Sequence, residues 1–117
     1  MLDQKKLEAA GINYSKGLAR FMKNAALYEK FLQKFLNDAS YTGFKTALES
    51  GDMVAAEKSI HTLKGTSGNL SIENLYELAD SITQKIRNGA SADEIRQIAP
   101  ELDSMYEKVC NAIKRDV

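Results

Sequence analysis

Apolar residues recur at three- and four-residue intervals along almost the whole chain, the repeat of one buried helix face. The clearest early stripe is Tyr28, Phe31, Leu32, Phe35 and Ala39, and beyond Gly43 its phase moves to Phe44 and Leu48. That pattern predicts a long helix over 24–50, bent or interrupted near Gly43. Before it, Leu2 and Leu7 suggest a short docking helix, and Leu18, Phe21 and Met22 share one face of INYSKGLARFM. Gly51 followed by Asp52 marks a helix stop and a new N-cap. The next helix is expected over 53–70, with Ala56, Ile60, Leu63, Ser67 and Leu70 turned inward.

Ser71 is placed as N-cap of the following helix, whose apolar face is Leu75, Leu78, Ala79, Ile82 and Ile86. Asn88-Gly89 ends it. Ser91 and Glu94 then have the S-x-x-E spacing of a capping box, opening a short segment that carries Ile95 and Ile98. Pro100 is expected in the first turn of a separate last helix, along which Leu102, Met105, Tyr106, Val109 and Ile113 repeat. No strand alternation competes with these patterns. The expected fold is all-α, an antiparallel four-helix bundle preceded by one or two short helices, in a single domain over 1–117.

Composition narrows the function. With 117 residues there is room for one ordinary domain. Sixteen basic residues balance sixteen acidic ones, which argues against a dedicated nucleic-acid binder. Cys110 is the sole cysteine, so no internal disulfide forms, and a buried thiol in a cytoplasmic protein is expected. No apolar run approaches the roughly 18 residues of a membrane span, and MLDQKKLEAA lacks a signal peptide's apolar core. No contact with a membrane is expected.

One stretch stands apart, HTLKGTSGNL over residues 61–70. At about 100° per residue, His61 falls roughly 140° from the centre of the inward stripe and faces water. Lys64, Gly65 and Gly68 share that outer face. Two glycines inside a helix cost about 1 kcal/mol each relative to alanine, so close approach of another body is the expected compensation. A neutral imidazole nitrogen is a good nucleophile near neutral pH without a separate base. Phosphoryl transfer through histidine fits this face. Lys64 would pair with phosphoryl oxygens, and the glycines would keep the space beside the ring clear.

With these residues in place, the chain resembles the histidine-containing phosphotransfer (HPt) domains of two-component phosphorelays. The resemblance rests on the match of residues 61–70 to H-x-L-K-G-x-x-G-x-L and extends upstream through ALESGDMVAAEKSIHTLKG. It departs at Ser71, where the family pattern has glycine. It implies a helical bundle in which His61 accepts a phosphoryl group from the aspartate of one response-regulator receiver domain and passes it to another. By position, Lys64 is the electrostatic helper, and Gly65 and Gly68 give docking clearance. Receiver domains are the implied partners, with a hybrid sensor histidine kinase as a candidate source and a monomer as the expected state. No cofactor, metal or ATP site is implied, so this is a phosphotransfer protein without kinase activity of its own.

Other assignments fit less well. Gly65-Thr-Ser-Gly68 matches the G-x-x-G loop of RNA-binding KH domains, but that fold needs strands. A P-loop needs G-K-[ST], and Asn69 follows Gly68. Glu57 is read as a solvated charge rather than a partner of the imidazole ring. Thr83, Gln84 and Arg87 of the following helix all stay open as phosphate contacts. The alternative function is a helical module that docks a receiver or other partner without carrying phosphate.

Overall fold

A computed structural model describes residues 2–114 of the chain. Seven helices follow in order: α1 (Gln4–Ala9), α2 (Tyr14–Arg20), α3 (Ala25–Phe35), α4 (Ser40–Ser50), α5 (Met53–Asn69), α6 (Glu73–Arg87) and α7 (Ala92–Ile113). Two short N-terminal helices precede a four-helix bundle made of α3 with α4, α5, α6 and α7. Short connections make sequential helices neighbours, and α5 packs between α4 and α6. Most positions of the expected inward stripes are buried or half-buried, but Phe31 and Ala39 of the first stripe are exposed. Ala56, Ile60, Leu63 and Ser67 of α5 have no exposed surface, and neither do Leu75, Ala79 and Ile82 of α6.

Four boundaries differ from the expectation. The break in the first long element falls between Phe35 and Ser40, not near Gly43. Leu36, Asn37 and Asp38 each donate to the carbonyl three residues back, and the Asp38 carboxylate accepts from the Ser40 amide at 2.8 Å. A side chain that offers the backbone a local turn outcompetes helix continuation there. Gly43 sits inside α4 for a packing reason: a Cβ at this position would lie 3.0 Å from Ser59 Oγ of α5.

Met22 is not part of an inward face. α2 ends at Arg20, and Met22 and Lys23 turn left-handed, with φ of 55° and 63°. Lys23 donates to the Leu18 carbonyl and Met22 to that of Ala19, which closes the helix end in the manner usually given to glycine. Met22 is left 91% exposed. At the other end, Leu7 is fully buried in α1, whereas Leu2 precedes that helix and packs at its edge.

Ser71 is not an N-cap. It adopts φ 57°, and its buried Oγ has no hydrogen-bond partner. The first turn of α6 is served from a distance instead, because the Glu73 amide donates to the Gly11 carbonyl at 2.9 Å. Next to this bond, Ile12 and Ile72 pair as an isolated antiparallel bridge, and the Asn13 amide donates to the Ser71 carbonyl at 2.8 Å. The N-terminal segment thus closes the α5–α6 turn. The left-handed conformation at Ser71 also explains why glycine suits this position.

Finally, the segment after Ser91 and the last helix are one element. The capping box of Ser91 and Glu94 forms as expected, but α7 then runs through Pro100 to Ile113. Pro100 lies on the exposed side, where water can satisfy the Arg96 carbonyl that lacks an amide partner. The Arg96 side chain meanwhile donates to the Leu48 carbonyl at 2.7 Å and ties α7 to the end of α4. Cys110 is half-buried, and burial pushes its thiol up from the ordinary value.

Candidate functional site

Asp52 starts α5, its carboxylate accepting from the Ala55 amide at 3.0 Å, after Gly51 has ended α4 at φ 77°. With the Ile60–Leu63 side of α5 fixed in the core, residue 61 has to point outward. His61 is indeed exposed in the middle of the helix, on the flank that faces α6. α6 is turned the same way by Leu75, Ala79, Ile82 and Thr83, which are buried. Asp80 and Arg87 are thereby brought to the groove between α5 and α6.

Two ion pairs cross this groove. Lys64 Nζ lies 2.9 Å from Asp80 Oδ1, and Arg87 Nε donates to Glu57 Oε1 at 2.8 Å. His61 sits between them along α5. Arg87 Nη2 lies 3.4 Å from His61 Nδ1. Each cation near the ring is therefore already matched by a carboxylate from the opposite helix. The hydrogen bond from Lys64 holds the Asp80 carboxyl below its ordinary value, with Gln84 contributing a second bond.

The three candidates on α6 separate cleanly. Thr83 is fully buried and its Oγ1 donates back to the Ala79 carbonyl at 2.7 Å, so it does not reach the surface. Gln84 is exposed and bonded to Asp80. Arg87 is the one of the three that touches His61. Glu57 binds Arg87, so it is neither a free solvated charge nor a partner of the ring.

The two glycines also separate. A Cβ at Gly65 would meet nothing within 4 Å, so this part of the helix surface is open. A Cβ at Gly68 would come within 2.9 Å of Tyr76 Cδ1 and 3.0 Å of Cε1. The missing side chain there admits a ring from the chain's own α6. Lys64 Nζ stands 6.0 Å from the centroid of that ring. From Gly65 a groove of about 490 Å³ runs away from His61 towards α2, passing Gly68 and Tyr76 and ending at Lys16 and Arg20. Tyr76 is a site neighbour that sequence reasoning missed. A residue one or two turns into the next helix, opposite an unexplained glycine, was the available signal.

The face offers a nucleophilic ring nitrogen, two cations within reach and an open approach. It offers no cluster of three or more potential metal ligands among the described residues. A model of the Hpt domain family matches residues 26–112, which includes the face from Glu57 to Arg87 and most of the chain. The chain belongs to the Hpt family. It is a phosphorelay intermediate of the His–Asp type. An HPt domain from a Shewanella sensor hybrid histidine kinase, solved as a crystal structure, has the same fold, with a TM-score of 0.79. The two chains are 20% identical over 89% of this one and 91% of the other. No curated protein sequence matches the chain. Among the described residues, no helix of this HPt chain is long and apolar enough to cross a membrane.

Proposed function

We propose that His61 is the residue that carries the phosphoryl group, taken from the aspartate of one receiver domain and handed to that of another. The observation behind this is the placement of the only histidine, exposed on α5 between Lys64 and Arg87 and beside the open backbone at Gly65. Nε2 is the attacking atom, since Nδ1 is the ring nitrogen turned towards Arg87 of α6. As the N–P bond forms, the acyl O–P bond of the donor breaks and its aspartate leaves as a carboxylate. The ring keeps its proton on Nδ1 and becomes a phosphorylated imidazolium. Since both the acyl phosphate and this species are activated, the same steps run backwards onto a second receiver.

Lys64 and Arg87 receive the phosphoryl oxygens by charge-assisted hydrogen bonds. Gly65 leaves room for the receiver, and Gly68 contributes by letting Tyr76 lie close to the helix. The receiver brings the metal and the phosphate, so the HPt domain, acting as a monomer over its whole length, needs no cofactor. The test is phosphate transfer between two receivers with the HPt protein as the sole link. Wild type should take acid-labile label and pass it on, and His61→Gln should do neither. A mutant that still relays label would overturn the assignment. Receiver binding without any label on wild type would favour a docking module.

A further inference from the structure

The contact between Arg87 and His61 has a chemical restriction. A guanidinium carries only donors, so Nη2 can bond Nδ1 only while that nitrogen offers its lone pair. In a neutral ring the proton then sits on Nε2, which blocks the nitrogen proposed to attack. Attack through Nε2 places the proton on Nδ1, and the two donors would then face one another. Arg87 has to leave Nδ1 for phosphorylation to proceed, and new phosphoryl oxygens on the far side of the ring are where its charge is best used. What keeps it at Nδ1 in the unphosphorylated protein is Glu57, one turn before His61 on the same helix face, bonded to Arg87 Nε at 2.8 Å.

We propose that Glu57 regulates the site by competing with the phosphoryl group for Arg87. Resting on the assignment of His61 as the phosphorylated residue, this makes Glu57 a positioning residue that never touches the phosphate. In the resting protein it neutralises Arg87 and holds it against Nδ1. In the phosphorylated protein it loses the guanidinium to the phosphoryl oxygens and takes it back when the group leaves. The carboxylate therefore weakens the hold on phosphohistidine and keeps the relay reversible. Asp80 stands in the same relation to Lys64, at 2.9 Å on the other side of the ring.

The experiment measures two things for wild type, Glu57→Gln, Arg87→Gln and the double variant. One is the half-life of the phosphorylated protein, and the other is the equilibrium of label between it and a receiver. Glu57→Gln should lengthen the half-life and shift label towards the HPt protein by about two- to fivefold, the range of an exposed ion pair. Raising the salt should shrink that shift. In the Arg87→Gln background the Glu57 substitution should do nothing. The nitrogen spectrum of unphosphorylated His61 should also change in Arg87→Gln, with more proton on Nδ1. Equal half-lives for wild type and Glu57→Gln, or a Glu57 effect that survives loss of Arg87, would overturn the competition while leaving His61 in place. A wild type that takes no label would overturn both.

Discussion

The α5–α6 face and the α4–α7 face contain nearly the same parts. On the first, Lys64 pairs with Asp80 at 2.9 Å beside Tyr76. On the second, Lys45 pairs with Asp103 at 2.9 Å beside Tyr41. The difference lies in closure. Tyr41 donates to Asp103 and stacks on Tyr106 with ring centroids 3.9 Å apart and planes 8° from parallel. The lysine, the aspartate and the tyrosine hydroxyl there are all used by one another. Across the molecule the ion pairs instead flank an exposed imidazole and a helix surface that lacks a side chain at Gly65. A surface ion pair contributes about 0–1 kcal/mol in either setting, so the pairs themselves do not mark a site. The proposed site is distinguished instead by an underused nucleophile next to bare backbone.

Filling the bare backbone should have the largest effect that spares the nucleophile. Gly65→Arg should slow transfer from a receiver by about tenfold or more, since small misplacements of reacting groups cost that much. Its thermal melt should not fall, because a Cβ there meets nothing within 4 Å and the rest of the side chain can extend into solvent. Gly65→Ala should raise stability by about 1 kcal/mol, the ordinary helix preference. A melt that drops with Gly65→Arg would give this glycine a packing role and dissolve the contrast between the faces.

The closed face should respond the other way. Tyr41→Ala removes a stacked ring and its bond to Asp103, and should cost about 2 kcal/mol in chemical denaturation. Transfer rates measured well below the melting temperature should stay within twofold of wild type, roughly the noise of such ratios. Slower transfer at unchanged folding would show that α4–α7 belongs to the docking surface.

The smallest effect concerns acid. Because Lys64 holds the Asp80 carboxyl below its ordinary value, that pair contributes stability above the ordinary carboxylate range. The contribution is lost as pH falls through the lowered value of the folded state. The difference in stability between wild type and Asp80→Asn should accordingly be full at neutral pH and close on acidification. Carboxyl-carbon titration should show Asp80 moving up in Lys64→Ala. An unmoved Asp80 would mean that Lys64 is free enough to act without first releasing a partner.

Much of this was legible in the sequence because burial is periodic. The Ile60–Leu63 stripe alone forces His61 outward, and four such stripes make a bundle. The misplaced boundaries share a cause in bonds between residues far apart or in side-chain turns. α6 starts where the Gly11 carbonyl meets Glu73, 62 positions away, so the nearby Ser71 was a false cap. The turn at Asp38 was decided by a local side-chain bond and the continuous α7 by solvation around Pro100, neither of which periodicity reports. The outward placement of His61, Lys64 and Gly65 followed from one helix wheel. Tyr76, Asp80 and the Glu57–Arg87 pair did not, because each depends on how α6 is set against α5.

The most direct measurement is the location of the phosphoryl group itself. Protein labelled with ¹⁵N in histidine would be incubated with a phosphorylated receiver and examined for phosphorus–nitrogen coupling. One coupled nitrogen, Nε2 of His61, is the predicted result, with Nδ1 uncoupled. Phosphate on another residue, or no coupled nitrogen while the receiver loses its label through this protein, would contradict it.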